Sequence, residues 1–189
     1  MLRLSWSAQP LPYTEFRRHK MANTFELIAS YTASGSVASI DFTSIPSTYT
    51  DLCLKVSTRC DTAGQDYFAL DIKFNGSSSS FTTRQLYGTG SAAGSGSGAY
   101  NYAGYTQAVL MTASTFANGE IYIPNYAGSN YKSLSADSVT ETNATGAVKA
   151  FHATLWSNVA AINQITLTPD AGGNFVQHST AYLYGVKNS

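Results

Sequence analysis

Short runs in which apolar and polar side chains alternate dominate this chain. In the run Leu52–Ser57 every second residue is apolar, beginning with Leu52. The run Tyr67–Phe74 repeats the pattern and leads into Asn75-Gly76, a dipeptide typical of tight hairpins because both residues accept positive φ. A period of two predicts strands with one face buried and the other exposed to solvent.

The same alternation recurs between Gly119 and Pro169, in four runs separated by Asn, Gly, Ser and Pro clusters: Glu120–Ile123, Lys132–Thr140, Val148–Trp156 and Gln164–Thr168. Further runs bring the total to about ten or eleven strands, spaced roughly 8–12 residues apart, with no helical pattern: Phe25–Tyr31, Val37–Phe42, Phe81–Tyr87, Thr106–Ala113 and Thr180–Val186. This spacing predicts an all-β fold and favours a jelly-roll-like antiparallel β-sandwich over residues 23–189.

The segment Gly88–Gly104 breaks the pattern, because glycine and serine leave it little apolar surface to bury. It predicts a long loop, and long loops within compact domains are usually functional or disordered. Tyr100, Tyr102 and Tyr105 follow at its far end. They are the candidate contact residues for a partner protein or a glycan. The alternative interpretation is that they anchor the return of the loop to the sheet.

Residues 1–22 carry no strand pattern and no continuous apolar segment of a secretory signal. The first twenty hold Arg3, Arg17, Arg18 and Lys20 against Glu15 alone. We expect residues 1–22 to be a disordered extension, or sequence upstream of a domain that begins near Met21. A basic arm that contacts an acidic neighbour is the alternative.

Charge is scarce: Asp, Glu, Lys and Arg make up 12% of the chain, and the formal net charge is zero. Ordinary domains carry about 25% charged residues. Interface cores are poor in charge and rich in tyrosine, so this composition favours assembly with other proteins over enzyme activity. The absence of a basic stripe argues against a nucleic-acid partner. No apolar run approaches the roughly 20 residues of a membrane span.

Chemistry-bearing residues form no convincing site in the sequence. The acids Glu120, Asp137 and Glu141 lack the spacing of a glycosidase pair. The three histidines, His19, His152 and His178, lack the spacing of zinc ligands. We therefore expect no catalytic, metal-binding or cofactor-binding residues. Cys53 and Cys60 lie an odd number apart in one strand, which favours free thiols, and Trp156 is expected in the core or a subunit interface.

Several segments between Phe25 and Asn188 together resemble a family of small virion structural proteins of tailed, mostly marine, bacteriophages: Ser39–Pro46, Lys73–Gly76, Glu120–Tyr126, Asp137–Ala144, Leu155–Pro169, Asn174–Gln177 and Leu183–Asn188. The resemblance implies a particle component located in the virion, on the capsid or in the tail. Residues 1–20 fall outside it.

Composition and resemblance lead to one expected function and one alternative. The expected function is that of a non-enzymatic virion structural protein, a capsid decoration or a tail or fibre component, that contacts other virion proteins. We expect a homo-oligomer, with a trimer favoured because such appendages often sit on three-fold sites. The alternative is a carbohydrate-binding module that attaches the particle to a host-surface glycan through Tyr100, Tyr102 and Tyr105.

Overall fold

The computed structural model describes residues 24–141 and 146–187, and the predicted extension at residues 1–22 lies outside the described residues. Antiparallel strands make up most of the described chain, joined by short turns and one 3₁₀ helix at Asp170–Gly172. The strands are β1 (Phe25–Thr32), β2 (Ile40–Phe42), β3 (Asp51–Thr58), β4 (Tyr67–Phe74), β5 (Phe81–Gly88), β6 (Ala93–Gly98), β7 (Tyr102–Gln107), β8 (Ala117–Pro124), β9 (Lys132–Val139), β10 (Lys149–Trp156), β11 (Ile165–Pro169) and β12 (Thr180–Val186).

Two sheets pack face to face, which confirms the predicted β-sandwich. The larger sheet begins in the order β1-β12-β3-β8, and the smaller sheet has the order β2-β11-β4-β7. Among these eight strands the chain changes sheet at every step except that from β4 to β7, which are neighbours in the smaller sheet. This paired strand order is that of a jelly roll.

Four further strands extend the larger sheet beyond β8, in the order β9-β10-β5-β6. We call these four strands the extension. The chain contributes β5 and β6 between the jelly-roll strands β4 and β7, and β9 and β10 between β8 and β11. One face of the extension turns toward β7 of the smaller sheet, and its outer face is open to solvent.

The core lies between the sheets and is built by the inward-facing half of each strand. Leu54, at the centre of β3, is fully buried, as the alternation predicts. Trp156 is 1% exposed and packs edge-on against Phe74 at 5.4 Å and nearly parallel to Phe81 at 6.1 Å. Burying one such side chain stabilises the fold by about 1.5–3 kcal/mol. Trp156 is therefore a core residue.

The prediction of a long loop over Gly88–Gly104 was wrong. Ala93–Gly98 forms β6, which pairs with β5 along its whole length, and β7 already begins at Tyr102. Side-chain burial, on which the prediction relied, is not what holds β6. Its backbone completes the edge of the sheet, and its glycines leave room for side chains of the adjoining residues.

Both cysteines are buried free thiols, as expected. The alternation in β3 puts Cys53 on the face opposite Leu52 and Leu54, yet Cys53 is also buried, at 1% exposed. Its direct neighbours across the sheet are Tyr122 on β8 and Tyr184 on β12, two large side chains on the same face. Burial raises the pKa of the Cys53 thiol. The thiol therefore stays protonated near neutral pH.

Candidate functional site

A cleft of about 390 Å³ opens beside the smaller sheet, where β4, β7 and the 3₁₀ helix meet β5 of the extension. Tyr100, Tyr102 and Tyr105 all line this cleft, so the structure brings together the three residues predicted as contacts. We call it the tyrosine cleft. Its full lining is Gln65, Tyr67, Phe68, Ala69, Gln85, Tyr100, Tyr102, Tyr105, Asp170 and Ala171.

A β-bulge in β7 places Tyr102 and Tyr105 on the same side. Residues three apart in a regular strand point to opposite faces. Here Tyr105 pairs with Ala69 and Tyr102 with Asp71, so three steps along β7 match two along β4. Gly104 lies in the extra step with φ of 127°, a value that residues with side chains rarely adopt.

The backbone of the tyrosine segment is fixed from both sheets. The buried hydroxyls of Thr83 and Thr154 donate to the carbonyl oxygens of Tyr100 and Tyr102, each at 2.7 Å. On the opposite side, Asn101 exchanges two hydrogen bonds with the backbone of Ile72, at 2.8 and 2.9 Å. The cleft wall is therefore held by the framework rather than carried on a free loop.

The four tyrosines form two ring pairs. Tyr100 and Tyr102 stack with their planes 4° apart and their centroids 4.7 Å apart. Tyr67 and Tyr105 meet edge to face at 4.8 Å. Tyr100 is 47% exposed, whereas the other three rings are partly buried. One face of the Tyr100 ring is thus occupied by Tyr102, and much of the ring remains open to solvent.

Glycines of β6 provide the space in which these side chains lie. A Cβ on Gly98 would stand 2.2 Å from the ring of Tyr100, and one on Gly96 would stand 2.8 Å from the amide nitrogen of Gln85. Gln85 in turn accepts a 3.0 Å hydrogen bond from the Tyr105 hydroxyl. The low-complexity sequence therefore shapes the cleft by the absence of side chains.

Two phenols of the cleft, those of Tyr102 and Tyr105, are held in their neutral form. Burial, followed by the negative charges of Asp170 and Asp71, raises the pKa of Tyr102 to about 12. Burial also raises the pKa of Tyr105 to about 12, with smaller contributions from Tyr67 and other neighbouring tyrosines. Neutral phenols both donate and accept hydrogen bonds. The cleft thus presents hydroxyl groups to a ligand at any physiological pH.

Asp170 supplies the carboxylate that lines the cleft. It begins the 3₁₀ turn, in which its Oδ1 accepts a 2.7 Å hydrogen bond from the backbone N–H of Ala171. Asp71 lies next to it, and burial together with the charge of Asp170 raises the pKa of Asp71 to about 6. Asp71 Oδ1 is buried and has no hydrogen-bond partner in the described part of the chain.

Sequence reasoning missed five polar or aromatic residues of the cleft: Gln65, Tyr67, Phe68, Gln85 and Asp170. Tyr67 and Gln85 belong to ordinary alternating strands, and Asp170 stands in a turn after Pro169. No local signal separates these residues from other strand and turn residues. Only the packing of the smaller sheet against the extension identifies them.

The acids considered as a catalytic pair lie elsewhere. Glu120 on β8 and Asp137 on β9 are direct cross-strand neighbours. This pairing was not predicted from the sequence. Each acid forms an ion pair with a lysine, Lys55 and Lys149 respectively, on a half-exposed surface. Glu141 lies beyond the end of β9. Pairing with lysines on an open surface indicates structural charges.

The histidines do not converge either. His19 lies outside the described residues, and His178 is exposed in the turn before β12. His152 is 2% exposed behind the cleft, with its ring 5.1 Å from that of Tyr105. Burial lowers the pKa of His152 to about 4, so the ring is neutral near pH 7. Within residues 24–141 and 146–187, no group of three or more His, Cys, Asp or Glu side chains could hold a metal.

A second surface feature lies on the outer face of the extension. Leu86 on β5 and Phe151 on β10 are direct cross-strand neighbours, 62% and 55% exposed. A shallow groove of about 470 Å³ runs beside them toward Ser95 and Ser97 of β6, and Arg84 is the one charged residue that lines it. We call this surface the Leu86–Phe151 face.

No family model, curated protein or solved structure matches this chain. None of the helices in the described ranges is long and apolar enough to cross a membrane.

Proposed function

We propose that this chain is a non-enzymatic structural component of a bacteriophage particle, on the capsid or in the tail or its fibres. The observation that carries the proposal is the jelly-roll strand order of its two sheets. Viral capsid proteins and lectins commonly use this architecture. The low charge and the resemblance of the segments between Phe25 and Asn188 support the same role. A fold hosts many functions, so the proposal needs a direct test.

The Leu86–Phe151 face supports assembly with other copies of the same chain. Two large apolar side chains are exposed side by side next to the serines and glycines of β6, with Arg84 beside them and Lys149 Nζ 5.1 Å from the centroid of the Phe151 ring. The face ends at β6, an edge strand that contains neither a charge nor a proline, the features that usually prevent edge contacts. We favour a trimer in which this face contacts a second copy.

Light scattering on the purified chain tests the assembly. We expect a trimer that dissociates to folded monomers when Leu86→Ser and Phe151→Ser are combined, because both side chains are exposed on the single chain and contribute nothing to its core. Val159→Ser, at a 55% exposed residue in the turn after β10, is the matched control and should leave the trimer intact. A monomer at high concentration, or a trimer that survives the double substitution, would contradict this surface.

Co-sedimentation tests the particle role. Purified chain mixed with empty capsids or isolated tails should associate with one of the two, and particle preparations should contain it in a fixed ratio to the major capsid protein. Its absence from washed particles would reject the proposal.

The second candidate function is binding of a host-surface carbohydrate. The specific observation in its favour is the convergence of the three predicted tyrosines in one cleft with amide and carboxylate groups. Binding sites for small molecules combine aromatic walls with a few placed polar groups in this way. A fibre or capsid protein with such a cleft would contribute to host attachment.

A further inference from the structure

We infer that the tyrosine cleft binds an uncharged pyranose at the end of a glycan, stacks it on Tyr100, and excludes acidic sugars through Asp170. This inference rests on the second candidate function, carbohydrate binding, and specifies its ligand. It is independent of where the protein sits in a particle.

Size and shape fit one or two sugar rings. The cleft encloses about 390 Å³, at the low end of the roughly 300–1,000 Å³ usual for small-molecule sites. Its backbone is held by Thr83, Thr154 and Asn101. A preorganised wall spares the ligand the entropy of ordering a loop.

Tyr100 offers the stacking surface. Its ring is 47% exposed and lies parallel to the ring of Tyr102. An amphipathic ring of this kind has an apolar face and a polar edge. The C–H face of a pyranose can lie on the open part of the ring while the sugar hydroxyls point toward the polar groups beside it.

The polar side chains of the cleft can form hydrogen bonds with the hydroxyl groups of a sugar. The Asp170 carboxylate accepts hydrogen bonds only, so it suits adjacent sugar hydroxyls as donors. Gln85 uses its carbonyl oxygen on Tyr105, which leaves its amide hydrogens for a ligand oxygen. Gln65 is exposed at the rim and offers a second amide.

Charge sets the selectivity. Asp170 lines the cleft, Asp71 lies behind it, and no lysine or arginine is among the described residues that line it. The carboxylate of a uronic or sialic acid would be repelled and would find no cation to pair with. The neutral phenols of Tyr102 and Tyr105 add donors without adding charge.

A glycan array that contains neutral hexoses, their uronic-acid counterparts, sialylated glycans and amino sugars tests the inference with the full chain. We expect binding to neutral pyranoses and at least tenfold weaker binding to the matched uronic acids. Tyr100→Ala should reduce binding at least tenfold, whereas Tyr131→Ala, at a 57% exposed tyrosine outside the cleft, should not. Asp170→Asn should reduce the difference in binding strength between neutral and acidic sugars.

The outcomes separate the two claims. Preference for acidic sugars, binding restricted to amino sugars, or binding unaffected by both Tyr100→Ala and Asp170→Asn would overturn the inference and leave carbohydrate binding in place. Failure to bind any glycan, with melting temperature and oligomeric state intact, would overturn both.

Discussion

Two buried cations are held by backbone carbonyl groups instead of carboxylates. Arg59, 9% exposed, donates to the carbonyl oxygens of Thr112 and Thr115 at 3.0 Å and of Met111 at 3.1 Å. Lys132, fully buried, donates to Gly128 at 2.6 Å and also to Asn130. Each cation organises a turn, because carbonyl groups of one loop converge on one side chain.

Arg59→Met should destabilise the protein by about 3 kcal/mol, because several buried carbonyl groups lose their donor at once. Arg84→Met makes the same chemical change at an exposed arginine and should alter stability by no more than about 0.5 kcal/mol. Urea unfolding of both variants measures the difference. Equal losses would mean that the loop after β7 does not depend on Arg59.

The bulge in β7 is the element on which the tyrosine cleft depends. Without the extra step, Tyr102 and Tyr105 would point to opposite sides of the strand. Gly104 permits the bulge through its positive φ, and it also faces Ser138 of β9 closely, since an added Cβ would lie 3.2 Å from the Cβ of Ser138.

Gly104→Ala should therefore destabilise the protein by about 1–3 kcal/mol and weaken any ligand binding in the cleft, because alanine resists this backbone conformation. Gly35→Ala is the matched control: an added Cβ there meets no atom within 4 Å and φ is not left-handed. Thermal unfolding of the two variants provides the comparison. Similar melting temperatures would show that β7 forms without the bulge.

At the scale of the whole molecule, the buried His152 and the half-buried Asp71 respond to acid in opposite directions. Burial lowers the pKa of His152 to about 4. Between pH 6.5 and 4 the histidine is therefore protonated in the unfolded chain and neutral in the folded protein. Stability is then lost as pH falls from 6.5 toward 4, by about 3 kcal/mol. The raised pKa of Asp71, about 6 against 3.8, makes the folded protein bind its proton first, which adds stability as pH falls through 6.

We expect these two contributions to offset each other largely between pH 6.5 and 4. Asp71→Asn should make the protein lose about 2 kcal/mol more than the wild type over this range, a figure reduced for the partial exposure of Asp71. The His152→Leu variant should lose less stability than the wild type as the pH falls from 6.5 to 4. Urea midpoints at several pH values measure both slopes.

The control for the histidine is His178→Asn. His178 is exposed and has φ of 73°, a conformation that asparagine accepts better than most residues. The urea midpoint of the His178→Asn variant should change with pH as that of the wild type does. If the urea midpoint of His152→Leu instead falls with pH as steeply as that of the wild type, protonation of His152 is not the cause of the stability loss in acid.

Alternation along the chain was enough to predict most of the strands, the sandwich and most of the inward-facing residues. Leu54 and its alternate neighbours are buried as the pattern predicts, because a strand with apolar side chains on one face must cover that face. Alternation is a local property, so it can be read without knowing which strands pair. The sequence also indicated Tyr100, Tyr102 and Tyr105 as a group, because they lie at the far end of the glycine-rich segment.

The residues that join these tyrosines in the cleft depend on packing between distant segments of the chain. Gln85 and Asp170 reach the tyrosine cleft from β5 and from the turn after β11, far apart in the chain. The strand β6 exists because β5 offers its backbone a partner, which composition cannot reveal. Cys53 is buried by neighbours from two other strands. Register and sheet packing are long-range, so residues that depend on them carry no mark in their own local sequence.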